Sequence, residues 1–252
     1  GAENIGVIVM NPNSGEILSM VSNRGFNLND PYNLTEYYTE DEIAAMDEDT
    51  QLKALNKMWR NFCISDTYEP GSTFKPFTVA AALEEDLVKP TDTFLCTGVR
   101  IVGGWSIHCN NKSGHGYVTL AEALMKSCNP ALMAIGEKEG RDLFRNYQDR
   151  FGFGEKTGID LPGEATGILF PIERLNITEL VSSSFGQTFN VTMIELTAAF
   201  CSLINGGYDY QPHVVKEIIN DNGATVVENS PILVRETVSS STCEFLKDAL
   251  YL

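Results

Sequence analysis

The sequence has little positive charge for its length, and this shortage excludes a first group of functions. Its 252 residues include 18 lysines and arginines against 34 aspartates and glutamates, a formal net charge of −16. A nucleic-acid-binding domain needs a basic footprint, and adhesion to an anionic membrane surface needs clustered lysines and arginines. The composition therefore argues against both kinds of partner, and its acidity is an ordinary source of solubility.

Long apolar runs and dense cysteines are also missing. No run approaches the roughly 18 apolar residues of a transmembrane helix, and no charged-then-apolar signal segment opens the chain. The six cysteines are too widely spread for a small domain stapled by disulfides. An apolar fraction of 43% and a charged fraction of 21% are typical of a soluble globular protein, and the length suits one large domain or two small ones.

Turn residues and apolar periodicity predict a mixed α/β architecture. The apolar runs Ile5–Met10 and Ile17–Val21 flank a dense turn and predict a β-hairpin. Helical spacing predicts helices over residues 41–46, 52–63, 72–85, 119–126, 130–138, 141–151, 192–204 and 241–252. The glycine-punctuated stretch 90–118 predicts a β-rich insert, and residues 214–228 predict a second hairpin.

A nucleophile and its base are predicted at the start of the helix over residues 72–85. Ser72-Thr73-Phe74-Lys75 follows Pro70-Gly71, and residues three apart on a helix share a face, about 5–6 Å between Cβ atoms. In the first turn, backbone N–H groups and the helix dipole favour developing negative charge on Ser72. A serine needs a neighbouring base, and Lys75 can serve only where burial lowers its pKa. Alone, S-x-x-K is a weak pattern, since a capping serine beside a solvated lysine is common.

A second motif, Ser127-Cys128-Asn129, begins 55 residues after Ser72. It follows a predicted helix that Thr119 and Glu122 open as a capping box. Taken alone, S-x-N is an ordinary helix-ending turn. The combination of S-x-x-K with a later S-x-N is part of the signature of penicillin-binding proteins and class A β-lactamases. Both motifs lie at helix ends, where their side chains could meet.

The segment Tyr68–Pro76 closely resembles the nucleophile segment of class B penicillin-binding proteins. Further matches to this family lie at residues 9–20, 114–116, 151–154, 158–164, 186–187 and 205–207. The resemblance spans nearly the whole chain and is closest in character to sporulation-type and clostridial members. It implies one peptidoglycan D,D-transpeptidase domain over residues 1–252. The implied fold is the α/β fold of penicillin-binding proteins and β-lactamases, with an antiparallel sheet between helical layers.

The resemblance also implies the role of each motif residue. Ser72 attacks the D-Ala–D-Ala carbonyl and forms an acyl-enzyme, while Lys75 takes the serine proton. Ser127 relays a proton toward the leaving amine, and Asn129 hydrogen-bonds the substrate amide. β-Lactams acylate the same serine because they mimic the donor peptide, and catalysis needs no metal or other cofactor.

Partners and location follow from the same resemblance. The expected partners are peptidoglycan stem peptides and β-lactams, with other cell-wall synthesis proteins bound through regions outside this chain, and no nucleic acid. The expected location is the extracytoplasmic face of a bacterial cell membrane, anchored by a segment absent from this chain. Both ends of the sequence are expected to be cut, so that the domain is incomplete.

The third motif of the family, K-T/S-G on a strand, has one literal match in the sequence, Lys156-Thr157-Gly158. This match lies between Gly-Phe-Gly and Asp-Leu-Pro-Gly-Glu, which is turn chemistry rather than a strand. It also precedes Gly186-Gln187, where the family carries a non-catalytic segment. We therefore interpret it as coincidental and expect the catalytic K-T-G beyond Leu252.

Cysteines and histidine cluster in the insert. Cys96, Cys109 and His115 lie within 20 residues, and thiolates with imidazole are typical zinc ligands. Zinc bound by these three residues, with Cys128 or an acidic residue such as Asp66 as fourth ligand, is one interpretation. A Cys96–Cys109 disulfide and free buried thiols are the other two, and the spacing matches no standard zinc-finger template.

Two other functions remain compatible with the motifs. A D,D-carboxypeptidase or β-lactamase would pass the acyl group to water, although class A β-lactamases need an additional carboxylate that the sequence does not reveal. A β-lactam sensor or a catalytically inactive module would keep the fold without the turnover.

Overall fold

The structure, a computed structural model, describes residues 4–23 and 25–251. The helices are α1 (Glu40–Ala44), α2 (Glu48–Trp59), α3 (Phe62–Ser65), α4 (Lys75–Glu84), α5 (Leu120–Met125), α6 (Asn129–Arg150), α7 (Ile177–Ser183), α8 (Met193–Ile204) and α9 (Ser240–Tyr251). Within these two ranges, no helix is both long enough and apolar enough to cross a membrane. The predicted mixture of helices and strands is confirmed.

Strands form six antiparallel pairs in the described part of the chain. The strands are β1 (Gly6–Met10), β2 (Ile17–Ser22), β3 (Thr67–Tyr68), β4 (Thr93–Cys96), β5 (Val99–Val102), β6 (Trp105–His108), β7 (Gly116–Thr119), β8 (Val191–Thr192), β9 (Tyr208–Tyr210), β10 (Glu217–Ile219), β11 (Thr225–Glu228) and β12 (Leu233–Glu236). The pairs are β1–β2, β3–β8, β4–β7, β5–β6, β9–β12 and β10–β11. The predicted N-terminal hairpin, second hairpin and β-rich insert are all present.

The N-terminal hairpin packs by one face on the helical body. Ile17 of β2 forms a buried cluster with Ile64 of α3 and Ile194 of α8, and Ile8 and Met20 pack against it. Because side chains alternate across a strand, residues such as Val7 point to the other face, where it is 47% exposed. One hairpin face therefore ties β1 and β2 to α3 and α8.

Helix α4 runs through the centre of the molecule, and aromatic rings pack around it. The ring of Phe74 lies 4.8 Å from that of Phe189, centroid to centroid, and the ring of Phe77 lies 4.9 Å from that of Phe151. Both pairs are edge-on, the geometry that aromatic quadrupoles favour. Seven consecutive α4 residues from Pro76 to Ala82 are buried. Their packing holds the first residues of α4 in place.

The helix predicted from Ser72 instead begins as a 3-10 turn over Gly71–Phe74, and α4 starts at Lys75. Proline provides the reason, since Pro76 has no N–H to donate to Ser72 O in an α-helical bond. The Ser72 carbonyl accepts from Lys75 N instead, which is the shorter 3-10 pattern.

Helix α6 bends at Gly140, where the backbone adopts φ 68° and ψ 168°. The two helices predicted over 130–138 and 141–151 are therefore both present within α6, and the non-helical Gly140 separates them. The residue before the bend, Glu139, is 7% exposed, and neither of its carboxylate oxygens has a hydrogen-bond partner among the described residues. It lies in a small cavity with Phe74, Phe77 and other apolar side chains. This burial raises the pKa of Glu139 well above its usual value, because an isolated charge is costly away from water.

Glu139→Gln is expected to stabilise the fold, and to do so more strongly as the pH rises. When burial raises the pKa of a carboxyl in the folded state, the free energy of unfolding of the protein falls as the pH climbs above the pKa of that carboxyl in the unfolded chain, about 4.5. The reason is that ionisation then favours the unfolded chain. We expect the variant to gain about 1 kcal/mol or more in unfolding free energy at pH 8, and less at pH 5. Urea unfolding at both pH values measures this difference. Asp142→Asn on the same helix, at a side chain 79% exposed, should show no such trend, and an equal trend in both variants would contradict the account.

Candidate active site

Ser72 is held at the start of α4 by a direct contact between two glycine backbones. Gly71 N donates to Gly186 O at 2.8 Å, and a Cβ built on Gly186 would lie 1.9 Å from Gly71 O. Any side chain at position 186 would therefore push the nucleophile segment away. Both glycines also have positive φ, 57° and 88°, which suits glycine.

Lys75 is the centre of the site, with only 2% of its surface exposed. Its Nζ lies 3.1 Å from Ser72 Oγ and 2.6 Å from Ser127 Oγ. It also lies 2.8 Å from Ser127 O and 2.8 Å from Asn129 Oδ1. The structure therefore brings together the four side chains that the two motifs predicted.

Burial lowers the pKa of Lys75 to about 8, and the nearby thiols of Cys109 and Cys128 oppose that shift. Desolvation dominates because an ammonium loses its hydration on entering the core. A lysine with a pKa close to neutral can accept the hydroxyl proton of Ser72, which an ordinary surface lysine could not do efficiently. The structure thus provides the burial that Lys75 needs in order to act as a base.

Ser127 occupies a backbone conformation that usually belongs to glycine. Its φ is 49°, and it follows the last turn of α5. Ser127 N donates to Leu124 O at 2.9 Å and Cys128 N donates to Ala123 O at 2.8 Å, which is the Schellman ending of a helix. A non-glycine residue there is strained by about 1 kcal/mol or more. The strained turn places Ser127 Oγ 3.0 Å from Ser72 Oγ.

Asn129 is the first residue of α6, directly before Pro130. While its Oδ1 faces Lys75, its Nδ2 donates to His108 O on β6 at 3.0 Å. The carboxamide is therefore fixed between the nucleophile helix and the β5–β6 hairpin. Sequence reasoning missed the contribution of His108 O, because a backbone carbonyl leaves no residue signature.

The literal third motif lies in coil, away from any strand. Thr157 N and Thr157 Oγ1 donate to Glu164 Oε1 at 2.7 and 2.6 Å, and Gly158 N donates to Glu164 Oε2 at 3.2 Å. This turn uses its N–H groups to bind a carboxylate of the same loop. The geometry supports the interpretation that Lys156-Thr157-Gly158 is a structural turn.

Three cysteines and a histidine converge beside the second motif. The ligand atoms of Cys96, Cys109, His115 and Cys128 all lie within 4.8 Å of one another. The three cysteines are buried, and all six thiols of the chain are free in the structure. Asp66, the alternative fourth ligand, instead forms an ion pair with Arg60 at 3.0 Å. Of the two candidates for the fourth position, the structure brings Cys128 to the cluster.

The donor set of this cluster is one that zinc uses in proteins. Two ligands of a tetrahedral zinc ion, each about 2.3 Å from it, lie about 3.8 Å apart, which is closer than the 4.8 Å within which these four atoms lie. Three thiolates with one imidazole are a common structural zinc set. The donor chemistry therefore fits zinc, and the four ligand atoms would have to move slightly closer together to bind one ion.

A buried lysine beside two hydroxyls at a helix start is the side-chain arrangement that acyl transfer by a serine with a lysine base requires. Comparisons with known proteins agree with this class. The family described as the penicillin binding protein transpeptidase domain matches residues 5–252. The chain belongs to this family, and the resemblance and fold class inferred from the sequence are confirmed.

Individual relatives cover most of this chain. Stage V sporulation protein D of Bacillus subtilis is 40% identical over 245 residues, 96% of this chain and 35% of that protein. Peptidoglycan D,D-transpeptidase MrdA of Acinetobacter baumannii is 29% identical over 222 residues, 83% of this chain and 32% of that protein. The chain thus spans about a third of the length of these relatives.

Solved structures share the fold. The D,D-transpeptidase domain of a peptidoglycan glycosyltransferase from Eggerthella lenta aligns with a TM-score of 0.82 and 27% identity, over 99% of this chain and 61% of that one. Penicillin binding protein 3 of Mycobacterium tuberculosis, complexed with aztreonam, aligns with a TM-score of 0.81 and 24% identity, over 99% and 51%. At that lower identity the second likeness supports the fold alone.

The pKa of Lys75 predicts how acylation depends on pH. With the neutral Lys75 amine as the expected base, the rate should rise about tenfold per pH unit below the pKa of about 8 and level off above it. Stopped-flow acylation by a β-lactam between pH 6 and 9.5, with hydrolysis in buffer subtracted, measures the profile. A rate that stays flat across this range would contradict a role for Lys75 as the base.

Proposed function

We propose that this chain carries the acyl-transfer centre of a peptidoglycan D,D-transpeptidase that β-lactams acylate. The observation that carries the proposal is the buried Lys75 amine, within hydrogen-bond distance of both Ser72 Oγ and Ser127 Oγ. No solvated lysine could take a serine proton in this way at neutral pH. Family membership supports the same chemistry.

In the proposed first half-reaction, Ser72 Oγ attacks the carbonyl of the penultimate D-Ala while Lys75 Nζ takes the hydroxyl proton. Negative charge develops on the carbonyl oxygen, and the Ser72 backbone N–H is one donor that stabilises it. Lys75 Nζ then returns its proton through Ser127 Oγ to the nitrogen of the leaving D-Ala, so the C–N bond breaks, a serine ester remains, and Lys75 and Ser127 are both neutral again. Asn129 binds the substrate amide during this step.

In the second half-reaction, the amine of a neighbouring stem peptide attacks the ester. Lys75 takes a proton from that amine through Ser127 and gives a proton to Ser72 Oγ, which leaves as the hydroxyl. The cross-link is then formed and the enzyme is regenerated. We propose that the second oxyanion donor and the K-T-G contacts come from outside residues 1–252, because the literal match at Lys156 lies in coil.

We propose a structural zinc ion at Cys96, Cys109, His115 and Cys128. Bound there, zinc would supply a four-ligand cross-link with no open position for chemistry. Cys128 lies between Ser127 and Asn129, so the cross-link would fasten the insert to the second motif. The catalytic steps need no metal.

Membrane location and partners belong to the same proposal. We infer that the full-length protein acts at the extracytoplasmic face of a bacterial membrane, on peptidoglycan stem peptides and with other cell-wall synthesis proteins. The likeness to Stage V sporulation protein D supports a role in sporulation.

A donor and acceptor assay on the full-length protein tests this function. A donor peptide ending in D-Ala–D-Ala, with an amine acceptor, is expected to release D-Ala and form a cross-linked product. Release of D-Ala without that product would indicate a carboxypeptidase. Acylation by β-lactams without any turnover of the peptide would indicate a sensor and would contradict the proposed function.

A further inference from the structure

An arginine on the β5–β6 hairpin joins the hairpin to α6. The Arg100 guanidinium on β5 forms a salt bridge with the Glu137 carboxylate on α6. It also lies 3.5 Å from Pro130 O, one residue after Asn129. The two charged side chains are only 31% and 28% exposed, so solvent screens this pair less than an ordinary surface pair.

The link through Arg100 lies close to the backbone carbonyl that accepts a hydrogen bond from the Asn129 carboxamide. Arg100 pairs with Ile107 across the hairpin, and the next residue, His108, accepts the hydrogen bond from Asn129 Nδ2. With Nδ2 held there, Oδ1 is the atom that faces Lys75 Nζ, at 2.8 Å. A carboxamide turned by 180° would present N–H donors to the lysine and lose both contacts.

We propose that Arg100 is a positioning residue which, through the hairpin and His108 O, sets the orientation of the Asn129 carboxamide. In that orientation one Nδ2 hydrogen binds His108 O, and the second is left for the substrate amide. Arg100 touches none of the reacting groups, so its effect reaches the reaction only through Asn129. The inference rests on the proposed acyl-transfer function, and it deepens that function by naming what aligns its substrate-binding amide.

A double-mutant cycle in the full-length protein tests this route. Arg100→Ala is expected to lower the second-order rate constant for acylation by benzylpenicillin about tenfold, the loss of one charge-assisted contact. In an Asn129→Ala background the same change should have almost no further effect, because the group that Arg100 positions is gone. A role in general stability would lower the rate in both backgrounds.

Arg145→Ala is the matched control. Arg145 lies near the far end of α6, is 28% exposed, pairs with Asp149 at 2.8 Å and donates to a backbone carbonyl, Phe170 O. Its removal deletes a similar ion pair without touching the hairpin. The acylation rate should then stay within about twofold of the wild type.

The possible outcomes distinguish a failure of the role of Arg100 from a failure of the proposed acyl-transfer function. A wild-type protein that benzylpenicillin does not acylate contradicts the proposed function. A wild type that is acylated, with Arg100→Ala unchanged or with additive losses in the cycle, overturns the role of Arg100. Should Arg100→Ala fail to fold, the reversed pair Arg100→Glu with Glu137→Arg decides. It is expected to regain most of the acylation rate that either single change loses, and a folded double variant with no such recovery also overturns the inference.

Discussion

Lys75→Ala is expected to slow acylation by β-lactams at least about 10³-fold in the full-length protein. The buried amine lies 3.1 Å from the Ser72 hydroxyl, and loss of a general base typically costs about 10²–10⁴ in rate. The change also leaves Ser127 Oγ and Asn129 Oδ1 without their shared partner, so the loss should lie at the upper end of that range. Time courses with a fluorescent penicillin measure the rate constant.

Lys156→Ala provides the control for this prediction. Lys156 belongs to Lys156-Thr157-Gly158, the literal match to the third motif of the family. Its neighbours Thr157 and Gly158 bind Glu164 rather than any residue of the site. We expect its acylation rate to stay within about twofold of the wild type, as for most changes remote from the reacting groups. Similar large losses in both variants would show that the coil segment is the catalytic K-T-G after all.

Cys96→Ser is expected to abolish zinc binding and lower Tm by roughly 10 °C or more, because structural zinc contributes several kcal/mol to folding. Acylation should slow as well, since Cys128, which shares the cluster with Cys96, lies between Ser127 and Asn129. Elemental analysis of protein purified without added metal gives the stoichiometry, and calorimetry gives Tm. The expected wild-type value is one zinc ion per chain.

Cys201→Ser is the matched control, because Cys201 is also a buried free thiol but lies on α8 outside the cluster. It should keep its zinc and lose little stability. A wild-type zinc content near zero, together with a Cys96–Cys109 disulfide found by mass spectrometry, would end the zinc proposal.

Local features of the fold were predictable from the sequence. At the start of α5, the Thr119 side chain accepts a hydrogen bond from Glu122 N, and the Glu122 side chain accepts one from Thr119 N, as the predicted capping box requires. Such a signal is complete within four residues, so no tertiary contact is needed to interpret it. The N-terminal hairpin and the helix after Ser72 were also predictable from nearby residues, although that helix begins as a 3-10 turn.

Features that depend on distant segments were not predictable in this way. The left-handed turn at Ser127 arises because α5 must end there while its hydroxyl faces Ser72, 55 residues earlier. The pair of Arg100 with Glu137 joins residues 37 apart, and neither residue lies in a recognisable motif. The proposed zinc ligands show the same limit: Cys96, Cys109 and His115 are close in sequence, while the choice of Cys128 over Asp66 required the folded arrangement.

The central claim is that Ser72 is the nucleophile, and mass spectrometry of the acylated protein tests it most directly. The full-length protein is incubated with benzylpenicillin, its intact mass is measured, and the adduct is mapped by peptide digestion. We predict one adduct per chain, on the peptide that contains Ser72, and no adduct on Ser72→Ala. An adduct that survives Ser72→Ala, or one that maps to another residue, would contradict the account.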